Sequence, residues 1–273
     1  MAKSEMLRAG DVRALLDLVG ECRDLGDDRL AWRGHLLAGL ASLVDAEGGF
    51  AGEMAGCGDL DTVRDLGMVP WWRADVRKPW TLDPEEAEII RDPRNWRATD
   101  AYHARNRGAG GLCLSRTDVL DDATWRAMPD YSLVRQILGV DHRIWCFAPI
   151  GGGGPDDQAG IILARNLGRG DFTRRDRTLV AFAHRELARL VGTRLARFAD
   201  PSPADLTPRV RQVLARLLEG DGDKQIAVRL ALSPHTVNEY AKLIFRHFGV
   251  QSRAELLARW VRRGWARPFP WNP

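Results

Sequence analysis

The plainest chemistry in the chain lies near its carboxy terminus. Val237, Ala241 and Ile244 recur at helical spacing, so His235, Asn238, Glu239, Lys242 and Arg246 fall on the opposite face of the same helix. Amide, carboxylate and cationic groups in one stripe are the types that read base edges, and a single helix fits a major groove about 12 Å wide. Other constellations carry less. His142 stands beside Asp141 and four residues before Cys146, but that spacing in a strand leaves the pair too far apart to share a metal. Gly151 to Gly154 lead into Pro155-Asp156-Asp157 and then a strand, whereas a phosphate loop must open a helix. That run reads as a turn. Cys22, Cys57, Cys113 and Cys146 are scattered, with no CxxC pair, and read as buried free thiols. No catalytic, metal or cofactor site is expected.

The elements around the polar stripe are well punctuated. Thr207-Pro208 opens a helix to about Leu218, with Val210, Val213, Leu214 and Leu217 inward. Glu219 to Gly222 turns the chain, and Asp223 is expected to cap a second helix with Ile226, Ala227 and Leu230 inward. Ser233-Pro234 starts a third, running to about Phe248 where Gly249 stops it, and Ser252 with Glu255 forms a capping box for a fourth over 253–262. A short helix pair with a tight turn and a well-capped second member suits DNA reading.

Residues 206–273 hold 12 Lys/Arg against 5 Asp/Glu, a net of +7, while residues 1–205 hold 28 against 32, a net of −4. Phosphates attract the first part and repel the second. Ala199 to Asp205, with two prolines in seven small or polar residues, is expected to be a linker that packs against little. The chain therefore divides into 1–198, a linker 199–205, a reader 206–263 and a tail 264–273. With 273 residues and 45% hydrophobic content it can bury a real core. Its longest strongly apolar run, Leu36 to Val44, is far short of the roughly 18 to 20 residues of a membrane span, so a cytoplasmic protein without a membrane partner is expected.

The amino-terminal part reads as α/β. Asp11 is expected to cap a helix to about Arg23 with Val12, Leu15, Leu16 and Val19 on one face, and a second helix spans 29–44, ended by Gly48 and Gly49. Strand-like segments follow at 50–54 and 62–69, then an acidic helix at 83–91 and a Trp-rich irregular stretch. Clear strands span 111–116, 143–150 and 159–166. The segment 172–198 reads as one long amphipathic helix with Leu179, Val180, Ala183, Leu187, Leu190, Val191 and Leu195 as its stripe. Seven of the ten tryptophans lie before residue 146 and read as core or interface mass before pocket lining.

Several stretches at matching spacing make residues 205–263 resemble the LuxR/GerE family of helix-turn-helix regulators: Leu206-Thr207-Pro208-Arg209, Arg211 to Leu214, Glu219-Gly220, Lys224 to Ala227, Arg229-Leu230, Ser233, Thr236-Val237, Ile244 and Phe248 to Val250. The resemblance implies an all-α four-helix reader of double-stranded DNA, with Asn238, Glu239 and Lys242 facing bases and Lys224, Ser233, Thr236, Tyr240 and Arg246 facing the phosphate backbone. Departures are visible. Val210 stands where most members have Glu, and Asn238 where Lys is commonest; Asn can bridge adenine N6 and N7, and Glu can accept from cytosine N4, so the site read is altered rather than the ability to bind.

Residues 1–198 resemble GAF/PAS-like sensor domains in element order, which implies an antiparallel sheet backed by helices and room for a small molecule of unknown identity. A receiver domain is set aside, because Asp27-Asp28 lies between helices rather than at a strand end. Acyl-homoserine-lactone sensors carry a Trp, Tyr and Asp-Pro set; Trp71, Trp72 and Tyr102 are present, but Asp83-Pro84 opens an acidic helix, so that ligand class is not supported. The expected whole is a regulator and not an enzyme, working as a homodimer because one short reading helix selects too little sequence. An enzyme tethered to DNA and a docking module without ligand are the rival readings; helix 253–262, with Leu256, Leu257 and Trp260, and the long helix 172–198 are the candidate dimer contacts.

Overall fold

The computed structural model describes residues 6–57, 64–76, 84, 85, 88, 97–106, 111–128, 137, 139–151, 154, 156–166 and 168–265. The acidic helix expected at 83–91, and Trp80 and Trp96, fall largely or wholly outside them.

Two helices, α1 (Ala9–Asp24) and α2 (Ala31–Val44), precede the strands β1 (Gly48–Ala55) and β2 (Arg64–Trp72). Then come α3 (Arg97–Asn106), the short β3 (Cys113–Ser115), α4 (Arg116–Val119) and α5 (Asp122–Ala127), the long hairpin β4 (Val140–Pro149) and β5 (Gln158–Asn166), and α6 (Arg174–Ala188). The strands form one five-stranded sheet in the order β2-β1-β5-β4-β3, antiparallel throughout. This is the helix-backed antiparallel sheet expected from the sequence.

Period-two alternation sends successive residues to opposite faces. From β4 and β5, Ile144, Cys146, Ala148, Ile161 and Leu163 join Leu15, Leu36, Leu40, Leu179, Ala183 and Leu187 in the main core beneath α1, α2 and α6. Trp145 and Phe147 go the other way, to a smaller core with Tyr102 of α3, Val119 of α4 and Trp125 of α5. Tyr102 is fully buried, and its hydroxyl donates to the Leu112 carbonyl (2.6 Å) while accepting from the Phe147 amide (3.1 Å).

Three local expectations are corrected. In α1 the buried positions are Asp11, Leu15, Leu18 and Cys22, whereas Val12 and Leu16 are exposed; Asp11 is not the cap but lies one turn in, bound to the Arg8 amide (2.8 Å) and the Arg175 guanidinium (2.6 Å). Asp45, in the left-handed region at φ 52°, ends α2, and Gly48 and Gly49 belong to β1. The long helix stops at Ala188. Residues beyond it turn, with Gly192 at φ 84° and the Ala196 amide donating to the Gly26 carbonyl (2.7 Å), so Val191 and Leu195 are buried but not helical.

The carboxy-terminal part is helical: a short 3-10 turn at Pro203–Asp205, then α7 (Pro208–Leu218), α8 (Asp223–Arg229), α9 (Pro234–His247) and α10 (Arg253–Arg263). Val213, Leu214, Leu217, Ile226, Val237, Ile244, Phe248, Leu256 and Trp260 build its core, with Ala196 and Trp265 included. Residues 199–205 do not form a loosely packed tether. Ser202 is fully buried, its hydroxyl donates to the Asp27 carbonyl (3.4 Å), and Arg29 binds Asp205 with two 2.8 Å bonds. No helix among the described residues is long and apolar enough to cross a membrane.

Candidate nucleic-acid interface and sensor cavity

Hydroxyl caps set the angle of the reading helix. The Thr207 hydroxyl accepts from the Val210 amide (3.5 Å) at the start of α7, and the Ser233 hydroxyl accepts from the Thr236 amide (3.0 Å) at the start of α9, with Pro208 and Pro234 fixing the first turns. Between α8 and α9 the chain reverses through Ala231 at φ 49°. Two caps differ from the expectation. Gly222, not Asp223, caps α8, and its amide donates to the Gln225 side chain (2.7 Å); Glu255 accepts from the Gln251 amide (2.8 Å) rather than closing a box on Ser252.

Helix α9 divides by face as its spacing predicts. Val237 and Ile244 are fully buried and Ala241 nearly so, while His235, Asn238, Glu239, Lys242 and Arg246 are exposed. Lys242 donates to Glu239 (2.8 Å), which holds the Glu239 carboxyl below its ordinary range. Two of the three expected base-facing groups are thus paired with each other in the free protein. Lys224 is exposed at the start of α8, Thr236 is half-buried, and Tyr240 packs partly against the core. The Ser233 hydroxyl, an acceptor in the cap, also lies 2.8 Å from the Thr236 hydroxyl, and either of the two can donate to the other.

Not every cation of the domain is available to phosphate. Arg253 donates to the carbonyls of Asp221 (2.5 Å) and Leu217 (2.6 Å), Arg209 to that of Leu230, and Arg259 to that of Phe248 (2.8 Å). Each of these three arginines meets the end of a different helix, where the last carbonyls lack intrahelical partners and the helix dipole is negative. Most of the two stripes offered as dimer contacts is consumed internally: Leu256 and Trp260 are buried in the reader's core and Leu179, Val180, Ala183 and Leu187 in the sheet's, while Leu257 stays partly exposed.

On the α3 face of the sheet a cavity of about 290 Å³ opens, lined by Phe50, Gly52, Glu53, Met54, Asp65, Met68, His103, Phe147, Gly160 and Ile162. Gly52 and Gly160 are register partners on β1 and β5, and a Cβ on Gly160 would collide with the Phe147 ring. Local sequence pattern gives no sign of this space, because its walls come from β1, β2, α3, β4 and β5. The candidates weighed for chemistry settle elsewhere. His142 lies 3.5 Å from Asp171, whose carboxyl is held down to about 2 against the opposing effect of burial by the neighbouring imidazole and by hydrogen bonds from the Thr117 hydroxyl and the Phe172 amide. Cys146 faces Cys113 across β3 and β4, and all four cysteines are free. Among the described residues no group of His, Cys, Asp and Glu is placed to hold a metal.

Comparison with known proteins agrees with the geometry of the helical part. Residues 204–260 match the family model of bacterial regulatory proteins, luxR family. A probable HTH-type transcriptional regulator, GfsR of Streptomyces halstedii, is 37% identical over 71 residues, covering 26% of this chain and 29% of that protein; the match thus spans under a third of the relative's length. Among solved structures, SdiA in complex with octanoyl-rac-glycerol aligns over 96% of this chain and 99% of its own at 14% identity and a TM-score of 0.42. The VqsR LBD domain from Pseudomonas aeruginosa aligns over 66% and 92% at 12% identity and a TM-score of 0.42. Residues 204–260, four capped helices with a polar stripe outward on the third, are a helix-turn-helix domain of the luxR family of bacterial regulatory proteins.

Proposed function

We propose that this protein is a transcriptional regulator that lays α9 in the major groove of double-stranded DNA, as a homodimer on two half-sites, and whose amino-terminal domain senses a small molecule. Asn238, Glu239 and Lys242 face base edges; Lys224, Ser233, Thr236, Tyr240 and Arg246 face phosphates. The observation that carries the reading is the division of α9, buried on one face and exposed and polar on the other, within a luxR-family domain. On binding, the Lys242–Glu239 pair opens and both groups exchange each other for base partners. The sensing half of the reading rests on the apolar cavity above β1 and β5, whose size is near the lower end for small-molecule sites.

Selection of bound fragments from genomic DNA with the full chain tests it. The expected product is a site with two related halves about one helical turn apart. Enrichment of no sequence, or of an unpaired half-site, would remove the dimeric reader.

A further inference from the structure

A charged relay, fully buried at Glu53 and partly exposed at Asp200 and Arg263, runs from the cavity to the reading domain through the segment joining them. Strand β1 carries the first link. Gly52 and Met54 line the cavity, and Glu53 between them is fully buried with its carboxylate bound by Arg33 of α2, by Arg197 Nε (3.0 Å) and by the Phe198 amide (3.1 Å). Arg33 is itself almost wholly buried, its guanidinium 4.0 Å from the Trp32 ring and 4.2 Å from the Phe198 ring, and burial lowers it to about 10. Arg197 reaches further, to Asp157 (3.0 Å) at the foot of β5.

From Arg197 the relay passes to the reader. Its backbone amide donates to Asp200 Oδ2 (3.0 Å), and the same oxygen accepts from Arg263 Nη1 (2.9 Å) at the last turn of α10. Trp265, just beyond, donates from its indole to the Arg194 carbonyl (2.7 Å). Losing either guanidinium would leave the Glu53 charge less well compensated in a site sheltered from water, so these pairs resist separation. A shift of β1 therefore moves Arg197 rather than detaching from it.

We propose that Glu53, Arg197, Asp200 and Arg263 couple the cavity to the reader, so that what fills the cavity alters how α10, and with it α9, is held. The proposal rests on the reading of the cavity as the sensing site. A conformational element that both sites bias is what such coupling requires, and it must act in both directions.

Amide hydrogen exchange on the full chain tests the relay without any ligand. Arg263→Ala removes the reader's end of the relay in the last turn of α10. Exchange at the amides of residues 51–54 should rise roughly tenfold, while residues 179–183 of α6 stay protected and Arg263→Lys restores most of the protection. In the other direction, Met68→Trp, on the exposed side of the cavity, should change exchange at residues 262–265. Unchanged protection at 51–54 would overturn the relay; so would an equal rise at 179–183, which marks general loosening. Nile red fluorescence, with Met68→Trp as the blocked control, reads the cavity separately. A dye that does not bind removes the sensing reading and leaves the exchange result to decide the relay; a dye that binds, with 51–54 indifferent to Arg263→Ala, keeps sensing and removes the relay.

Discussion

Asp27 gives this fold a pH dependence of a definite sign. It lies in the turn between α1 and α2, and burial, with the Asp28 charge adding to it, lifts its carboxyl from an ordinary 3.8 to about 6. The folded chain thus binds this proton more tightly than the unfolded chain does. Stability from Asp27 is fully present below about pH 3.8 and is lost as pH rises through about 6. At about 1.4 kcal/mol for each pH unit of separation, the charge costs at most about 3 kcal/mol at pH 7. Asp27 keeps part of its surface in solvent, so about 1 to 2 kcal/mol is the figure to expect. Asp27→Asn removes the charge and leaves the Asp27 carbonyl free to accept from Ser202 as before. Urea denaturation of both proteins between pH 4.5 and 8 should show the variant more stable at pH 7 by that amount, with the advantage shrinking steadily toward the acid end. A difference that does not vary with pH, or a variant less stable at pH 7, would refute the argument.

Other outcomes follow from the reader and its joint. Asn238→Ala should cost about 1 to 3 kcal/mol at the preferred site and relax the base choice there, whereas Lys224→Ala should weaken all sequences alike; competition binding on a set of single-base variants separates the two. Arg259→Gln and Arg253→Gln should each lower thermal stability, by about 1 to 2 kcal/mol, because helix-end carbonyls lose a charged donor, yet leave the affinity of the folded protein for DNA unchanged. Trypsin, which has Arg197 as a target, should cut the native chain slowly at that residue and faster in Arg29→Ala, which loses the paired bonds to Asp205; rapid cleavage of the unaltered protein there would mean the joint is open in solution.

What the sequence disclosed follows from how far apart the interacting residues lie. The reader was legible because its signals are local: Ser233 caps an amide three residues on, and Val237, Ala241 and Ile244 declare one buried face within two turns. Strand positions were legible for the same reason, but α1 was not, since two stripes satisfy helical spacing there and only the packing of α2 and α6 selects Leu15, Leu18 and Cys22 over Val12 and Leu16. Charge counting misled in part. The surplus of Lys and Arg suggested phosphate contacts, yet Arg209, Arg253 and Arg259 are spent on carbonyls and Arg263 on Asp200. The packing of residues 199–205 was not legible, because two prolines and small residues look like a tether, while the partners of Ser202 and Asp205, the Asp27 carbonyl and Arg29, lie more than a hundred residues earlier. No periodicity reports contacts at that separation.

The makeup of that joint bears on how DNA binding responds to ionic strength. Added salt weakens any protein on DNA, since the cations that a bound protein displaces from the duplex are released less favourably into a more concentrated solution. Here salt also reaches the partly exposed pairs Arg29–Asp205 and Arg263–Asp200, and screens them over the same concentration range. For the intact chain, a plot of affinity against salt therefore combines phosphate contacts made with a docking equilibrium within the protein, and its slope is not a count of phosphates. Only a variant whose joint is fixed or removed would give that count.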